Sequence, residues 1–116
     1  IAYDGGPSTR KAVDFVASNS LLRGLECHLL RIGADNKKNR AVIAQAATQL
    51  TQAGFAVQTL IQPGQPDEVI SAYVKSNEMD LLVMGAYGHS HIRTLIIGST
   101  TSSMLRSCPI PVLLFR

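Results

Sequence analysis

An α/β fold, with a parallel sheet of about five strands and helices on both faces, is predicted by three observations. Short apolar runs of strand length alternate along the chain with amphipathic stretches of helical period. The connections between them are too short for anything but crossovers. One run, Asp80-Leu-Leu-Val-Met84, is apolar without alternation, as expected of a central parallel strand covered on both sides.

Each element has its own signal. Ile1-Ala2-Tyr3 is the tail of a first strand, and Asp4-Gly5-Gly6-Pro7 ends it because two glycines and a proline force a turn. Ser8 or Thr9 then caps a helix in which Ala12, Val13, Val16 and Ala17 recur at helical spacing up to Leu21, before Gly24 stops the pattern. Residues 25–32, LECHLLRI, form a second strand that runs into the loop and capping residues of 33–36, GADN. Through the next helix Ile43, Ala47 and Leu50 step by three or four toward Gly54. Residues 55–62, FAVQTLIQ, put Val57, Thr59 and Ile61 on one face of a third strand and Leu60 on the other, with Pro63-Gly64 ending it.

Pro66 suits the first turn of a third helix and Asp67 and Glu68 complement its dipole, with Val69, Ile70, Tyr73 and Val74 as the buried stripe. The fourth strand, residues 80–84, runs into Gly85. Gly98-Ser99 heads the last helix, whose apolar stripe is Met104, Leu105 and Cys108, and residues 111–115 close the sheet as an edge strand.

The bulk properties narrow the function. With 116 residues, 46% hydrophobic and 16% charged, the chain is read as one domain spanning 1–116, since it can bury one core but not two. Its longest apolar runs fall far short of the roughly 20 residues that span a bilayer, so no membrane partner is expected. Eleven Lys plus Arg against eight Asp plus Glu are scattered rather than striped, and aromatic residues are too few to stack bases, so no nucleic-acid partner is expected either. Cys27 and Cys108 form no CxxC pair and read as small buried hydrophobes. No leader precedes the first strand, which points to the cytoplasm, while a start at Ile1 already inside a strand suggests a missing N-terminus.

Ligands of such sheets bind beyond the carboxyl ends of the strands. Gly85 and Gly88 lie just past one, where glycine lets the backbone leave the strand and approach a ligand. Gly98 and Ser99 add a helix N-terminus with free N–H groups and a hydroxyl, a place for phosphate. Turn glycines and a helix cap with no ligand are the competing explanation.

The arrangement Gly85-x2-Gly88-x9-Gly98-Ser99, with Asp4 ending the first strand, resembles the ATP-binding subgroup of the universal stress protein family, a relative of the flavodoxin-like folds also called adenine nucleotide alpha hydrolase-like. GAYGHSHIRTLIIGS matches that subgroup's G-x2-G-x9-G-[S/T] without a gap, and YDGGPSTRKA and SCPIPVLLFR are similar to the family's opening turn and closing strand. The resemblance implies that Asp4 and the backbone near Ile32 hold adenosine. Gly85 and Gly88 would admit ribose and phosphate, Met84 would join the nucleotide-binding residues, and Gly98, Ser99 and Thr100 would bind the terminal phosphates, with Mg2+ or Mn2+ held mainly by those phosphates. The departure is Gly6, where the family usually has Ser or Thr. GHSHIR and a start directly at a strand also resemble the second half of tandem members, which implies a homodimer or pairing with a second like domain through the C-terminal strand.

Other chemistry is poorly supplied. His89 and His91 form an H-x-H, but no Cys or acid nearby completes a metal set, so His89 is read as a phosphate contact and no metal-ligating residue is assigned. Arg93 could reach phosphate. There is no G-x-S-x-G elbow and no Walker lysine, so no catalytic residue is assigned and ATP hydrolysis is expected to be slow or absent. A response-regulator site would need more acids than Asp4, and a flavodoxin phosphate loop would follow the first strand. An interaction domain without nucleotide, or an adenylate-using enzyme completed by a partner domain, remain the alternatives.

Overall fold

The structure, a computed structural model, describes residues 1–86 and 99–116, with Ser99 described by its backbone alone. Helices and parallel strands alternate: α1 (Pro7–Ser18), β1 (Glu26–Ile32), α2 (Lys37–Gln52), β2 (Ala56–Gln62), α3 (Pro66–Ser76), β3 (Leu82–Gly85), α4 (Ser99–Ser107) and β4 (Val112–Phe115), with a short 3-10 turn at Ser20–Leu22. β1 pairs with β2 and β3 with β4, both in parallel.

The expected five strands become four among the described residues, in two pairs that Ala2 bridges on either side, to Leu30 and to Met84. The reason is the alternation of backbone direction. Ala2 N–H donates to Val83 O at 2.9 Å, while Tyr3 N–H donates to Leu30 O at 2.8 Å. Within residues 1–3 that leaves one bridge per side, too few to propagate a ladder.

Both faces are covered. Leu29 and Val83 pack with Ala12, Val13 and Val16 of α1 and Ile43, Ala46 and Leu50 of α2, whereas Leu30, Leu82 and Met84 pack with Val69, Ile70 and Val74 of α3 and Met104 of α4. Neighbouring strand residues thus enter opposite cores, as the two-residue period of a strand requires. β2 has no buried residue; only its Val57 and Ile61 reach the α1/α2 core, and Thr59 stays exposed.

Three local expectations are corrected. Neither Ser8 nor Thr9 caps α1: Gly6 does, with an extended backbone and no side-chain cap, because Pro7 already suits the first helical position. The helix stops at Ser18 rather than running to Leu21; Asn19 accepts from Leu21 N–H to start the 3-10 turn, and Leu21 is exposed. In α4 the inward phase runs through Thr101 and Met104 to Cys108, so Leu105 is 47% exposed. Hydropathy favoured the leucine; the helix phase favoured the threonine.

Candidate functional site

The first turn after Tyr3 is held by Asp4. Its Oδ1 accepts the Gly6 N–H at 2.8 Å and the Thr9 hydroxyl at 2.7 Å, while Thr9 is buried. Both bonds fall on one oxygen, so Oδ2 has no hydrogen-bond donor among the described residues. A single carboxylate thus fixes the start of α1 and keeps acceptor capacity in reserve.

Gly85, at the end of β3, sits against that helix start. A Cβ built there would lie 3.1 Å from both Ser8 Cβ and Thr9 Cγ2, closer than side chains normally pack. The approach of α1 therefore favours glycine at 85, a reason independent of any ligand. On the other side Thr101, buried near the start of α4, lies 3.4 Å from Gly85 O and 3.2 Å from Ala86 O, to which its hydroxyl donates. Thr9 and Thr101 were both missed as site residues, because a hydroxyl at a helix start looks the same in sequence whether it caps its own helix or reaches across to another element.

These contacts surround a cavity of about 240 Å³ at the carboxyl ends of β1 and β3. Of the residues singled out from the sequence, Asp4, Ile32, Met84, Gly85 and Thr100 all line it. Gly88, His89 and Gly98 lie outside the described residues, as do His91 and Arg93. Ser99 begins α4, beside Thr100. Tyr3, Ile70 and Met84 supply apolar wall, and Arg31, which the sequence reading passed over, supplies a cation.

The remaining polar clusters lie elsewhere. His28 is a hydrogen-bonded strand residue, pairing through Nδ1 with Tyr73 Oη at 2.6 Å and through Nε2 with Glu26 at 2.9 Å. Burial, helped by the Glu26 charge, pushes the Tyr73 phenol above its ordinary pKa. Burial likewise pushes the Cys27 thiol up, which suits an inert core residue. Among the described residues no three His, Cys, Asp or Glu side chains are grouped as a metal site requires, and no helix is long and apolar enough to cross a membrane.

Comparison with known proteins agrees with this fold. The profile of the universal stress protein family matches residues 1–116. The chain is 44% identical over 117 residues to the universal stress protein Slr1230 of Synechocystis, an alignment that takes in 99% of this chain and 41% of that protein, so the chain spans less than half the length of this relative. Among solved structures it superimposes on MJ0577, a protein of Methanocaldococcus jannaschii, with a TM-score of 0.84 at 21% identity, covering 98% of this chain and 91% of the other. It also superimposes on a universal stress protein described in complex with cAMP, with a TM-score of 0.80 at 21% identity, covering 100% and 93%. At such identities the two structures establish the shared fold.

Proposed function

The chain belongs to the universal stress protein family, and from that premise we propose that it is a cytoplasmic ATP-binding regulatory domain with slow or no ATP hydrolysis. One observation carries the reading: a cavity at the strand ends is lined at once by Asp4, Ile32, Met84, Gly85 and Thr100. A relative of the same fold described in complex with cAMP supports an adenine nucleotide as the ligand class. In this reading segment 1–3 is the fifth strand of one sheet, ordered β2, β1, segment 1–3, β3, β4.

The residues suit a nucleotide. Ile32, Ile70 and Met84 offer apolar faces to a purine, and the free Oδ2 of Asp4 can accept from a ribose hydroxyl or an exocyclic amine. The first turn of α4 offers phosphate N–H groups that have no acceptor within the helix itself, with Gly88, His89, Gly98, Ser99 and Thr100 completing the phosphate side and a divalent ion held mainly by the phosphates themselves. Asp4 is the one acid lining the cavity among the described residues and is engaged in holding the α1 turn, so no general base is assigned. Pairing with a second like domain would use β4, which has β3 on one side and no further strand on the other among the described residues.

Titrating ATP into the purified chain and into the Gly98→Val variant tests the reading; equal affinities would remove the phosphate site. Ser99→Ala should weaken ATP more than adenosine, which has no phosphate to lose. The second reading, an interaction domain without nucleotide, is favoured by the packing that already accounts for Gly85. Mass spectrometry of the denatured protein separates the two, because co-purified adenine nucleotide supports the first.

A further inference from the structure

One of the residues lining the cavity, Arg31, carries a cation that the nucleotide reading does not use. Arg31 is the next-to-last residue of β1, half-buried, and lines the same space as Asp4 and Ile32. Among the described residues it has no carboxylate partner within ion-pair distance; the pairs present are His28–Glu26 and Arg40–Asp35. Its one hydrogen bond there runs from Nε to Asn39 Oδ1 at 3.0 Å. A guanidinium carries five N–H donors, so four have no protein acceptor among the described residues. A half-buried cation in that state keeps donors for water or for an acceptor from outside.

Its direction is set by a chain of contacts. Asn36 caps α2 by accepting the Asn39 N–H at 2.8 Å, and Asn39 Nδ2 donates to Ala34 O at 2.8 Å. With the amide nitrogen committed to a carbonyl, Oδ1 of Asn39 faces Arg31. Gly33, at φ +152°, keeps this arrangement open, since a Cβ there would lie 3.2 Å from Asn39 Nδ2. The far end of Arg31 lies toward the turn after Asp4: Nη1 is 3.9 Å from where a Cβ on Gly5 would stand. That is the end of the cavity formed by β1 and the Asp4 turn, whereas the phosphates are assigned to the start of α4.

Resting on the nucleotide reading above, we propose that Arg31 determines ligand specificity by donating from its guanidinium, aimed by Asn39, to the adenosine half of the nucleotide rather than to its phosphates. Asp4 then supplies the acceptor and Arg31 the donor at one end of an otherwise largely apolar cavity, a pairing suited to a purine edge or a ribose that both donate and accept.

The test is calorimetric titration of the whole chain with adenosine, AMP and ATP, for wild type, Arg31→Gln, Arg31→Lys and Asn39→Ala. Arg31→Gln should weaken all three ligands alike, by about tenfold, the scale of one hydrogen bond to a charged donor. The salt dependence of ATP binding should stay unchanged, because no phosphate contact is removed. Lysine should rescue little, since Asn39 orients a planar fork and not an ammonium. Asn39→Ala should show a smaller loss, again equal for the three ligands, and decides the matter should Arg31→Gln fail to fold. A loss confined to AMP and ATP would move Arg31 to the phosphates and overturn the proposal, as would affinities equal to wild type. Absence of binding by the wild-type chain would instead remove the nucleotide reading itself, and this inference with it.

Discussion

Two of the hollows among the described residues differ sharply in size, and the larger is the less convincing ligand site. Between α2 and β2 lies a groove of about 670 Å³, against about 240 Å³ for the cavity at the strand ends. The groove is open and its polar lining consists of surface threonines, Gln52 and the exposed Asp35–Arg40 pair. In the cavity the polar groups are tied to other elements: Asp4 to the α1 start, Thr101 to the end of β3, Arg31 to α2. The two arginines make the contrast concrete. Arg40 has a carboxylate partner, Asp35, at 2.6 Å in water, while Arg31 is half-buried with one neutral partner among the described residues. Volume marks where a chain fails to fill space; converging, pre-aimed polar groups mark where a ligand would be recognised.

Substitutions on the two hollows can break or sharpen that distinction. Ile43 lines the groove yet is 4% exposed, so Ile43→Ala should cost roughly 2–5 kcal/mol of stability by denaturant titration, through lost burial and a new cavity. ATP affinity of the folded variant should be unchanged; a clear loss would make the groove the site. Asp4→Ala should weaken ATP and adenosine by about ten- to hundredfold in a binding titration, on the order of 1.4–2.8 kcal/mol, and an unaltered affinity would strip the cavity of its main acceptor. Thr101→Val, nearly isosteric, should lower stability by about 1 kcal/mol through the lost bond between α4 and the end of β3, seen as a shifted denaturation midpoint.

Arg40→Ala should have the smallest effect. The hydrogen bond from Arg40 holds the Asp35 carboxyl below its ordinary pKa. Any resulting stabilisation is present above the ordinary carboxylate range and disappears as pH falls through the lowered folded value. Since both side chains are more than half exposed, stability-versus-pH curves of wild type and variant should coincide at physiological salt. Divergence on the acid limb would show a surface pair stronger than its exposure allows.

Much of this was legible without coordinates. The run 80–84 announced a buried strand, and Leu82, Val83 and Met84 are all buried. Pro66-Asp67-Glu68 announced a helix start, and α3 begins at Pro66. These signals are local, since hydrophobic period and turn chemistry act over a few residues and need no knowledge of the partner. Gly85 could be nominated for the same reason, as a glycine just past a strand end, whereas Asp4, Ile32 and Met84 were nominated by the family resemblance.

Arg31 and Thr9 could not be nominated this way, nor could Thr101 be told apart from Leu105 as the inward residue of α4. Period and breaker residues were enough for the α/β order, the helices on either face and the address of the cavity. The folded arrangement alone decided that Gly85 lies against the start of α1, that the Thr9 hydroxyl goes to Asp4, and that Arg31 is aimed by a residue eight positions away on another element. The physical reason is one of range: backbone preference is a property of neighbours in the chain, whereas the partner of a buried polar group depends on which distant elements meet, and on the distance and angle at which they do so.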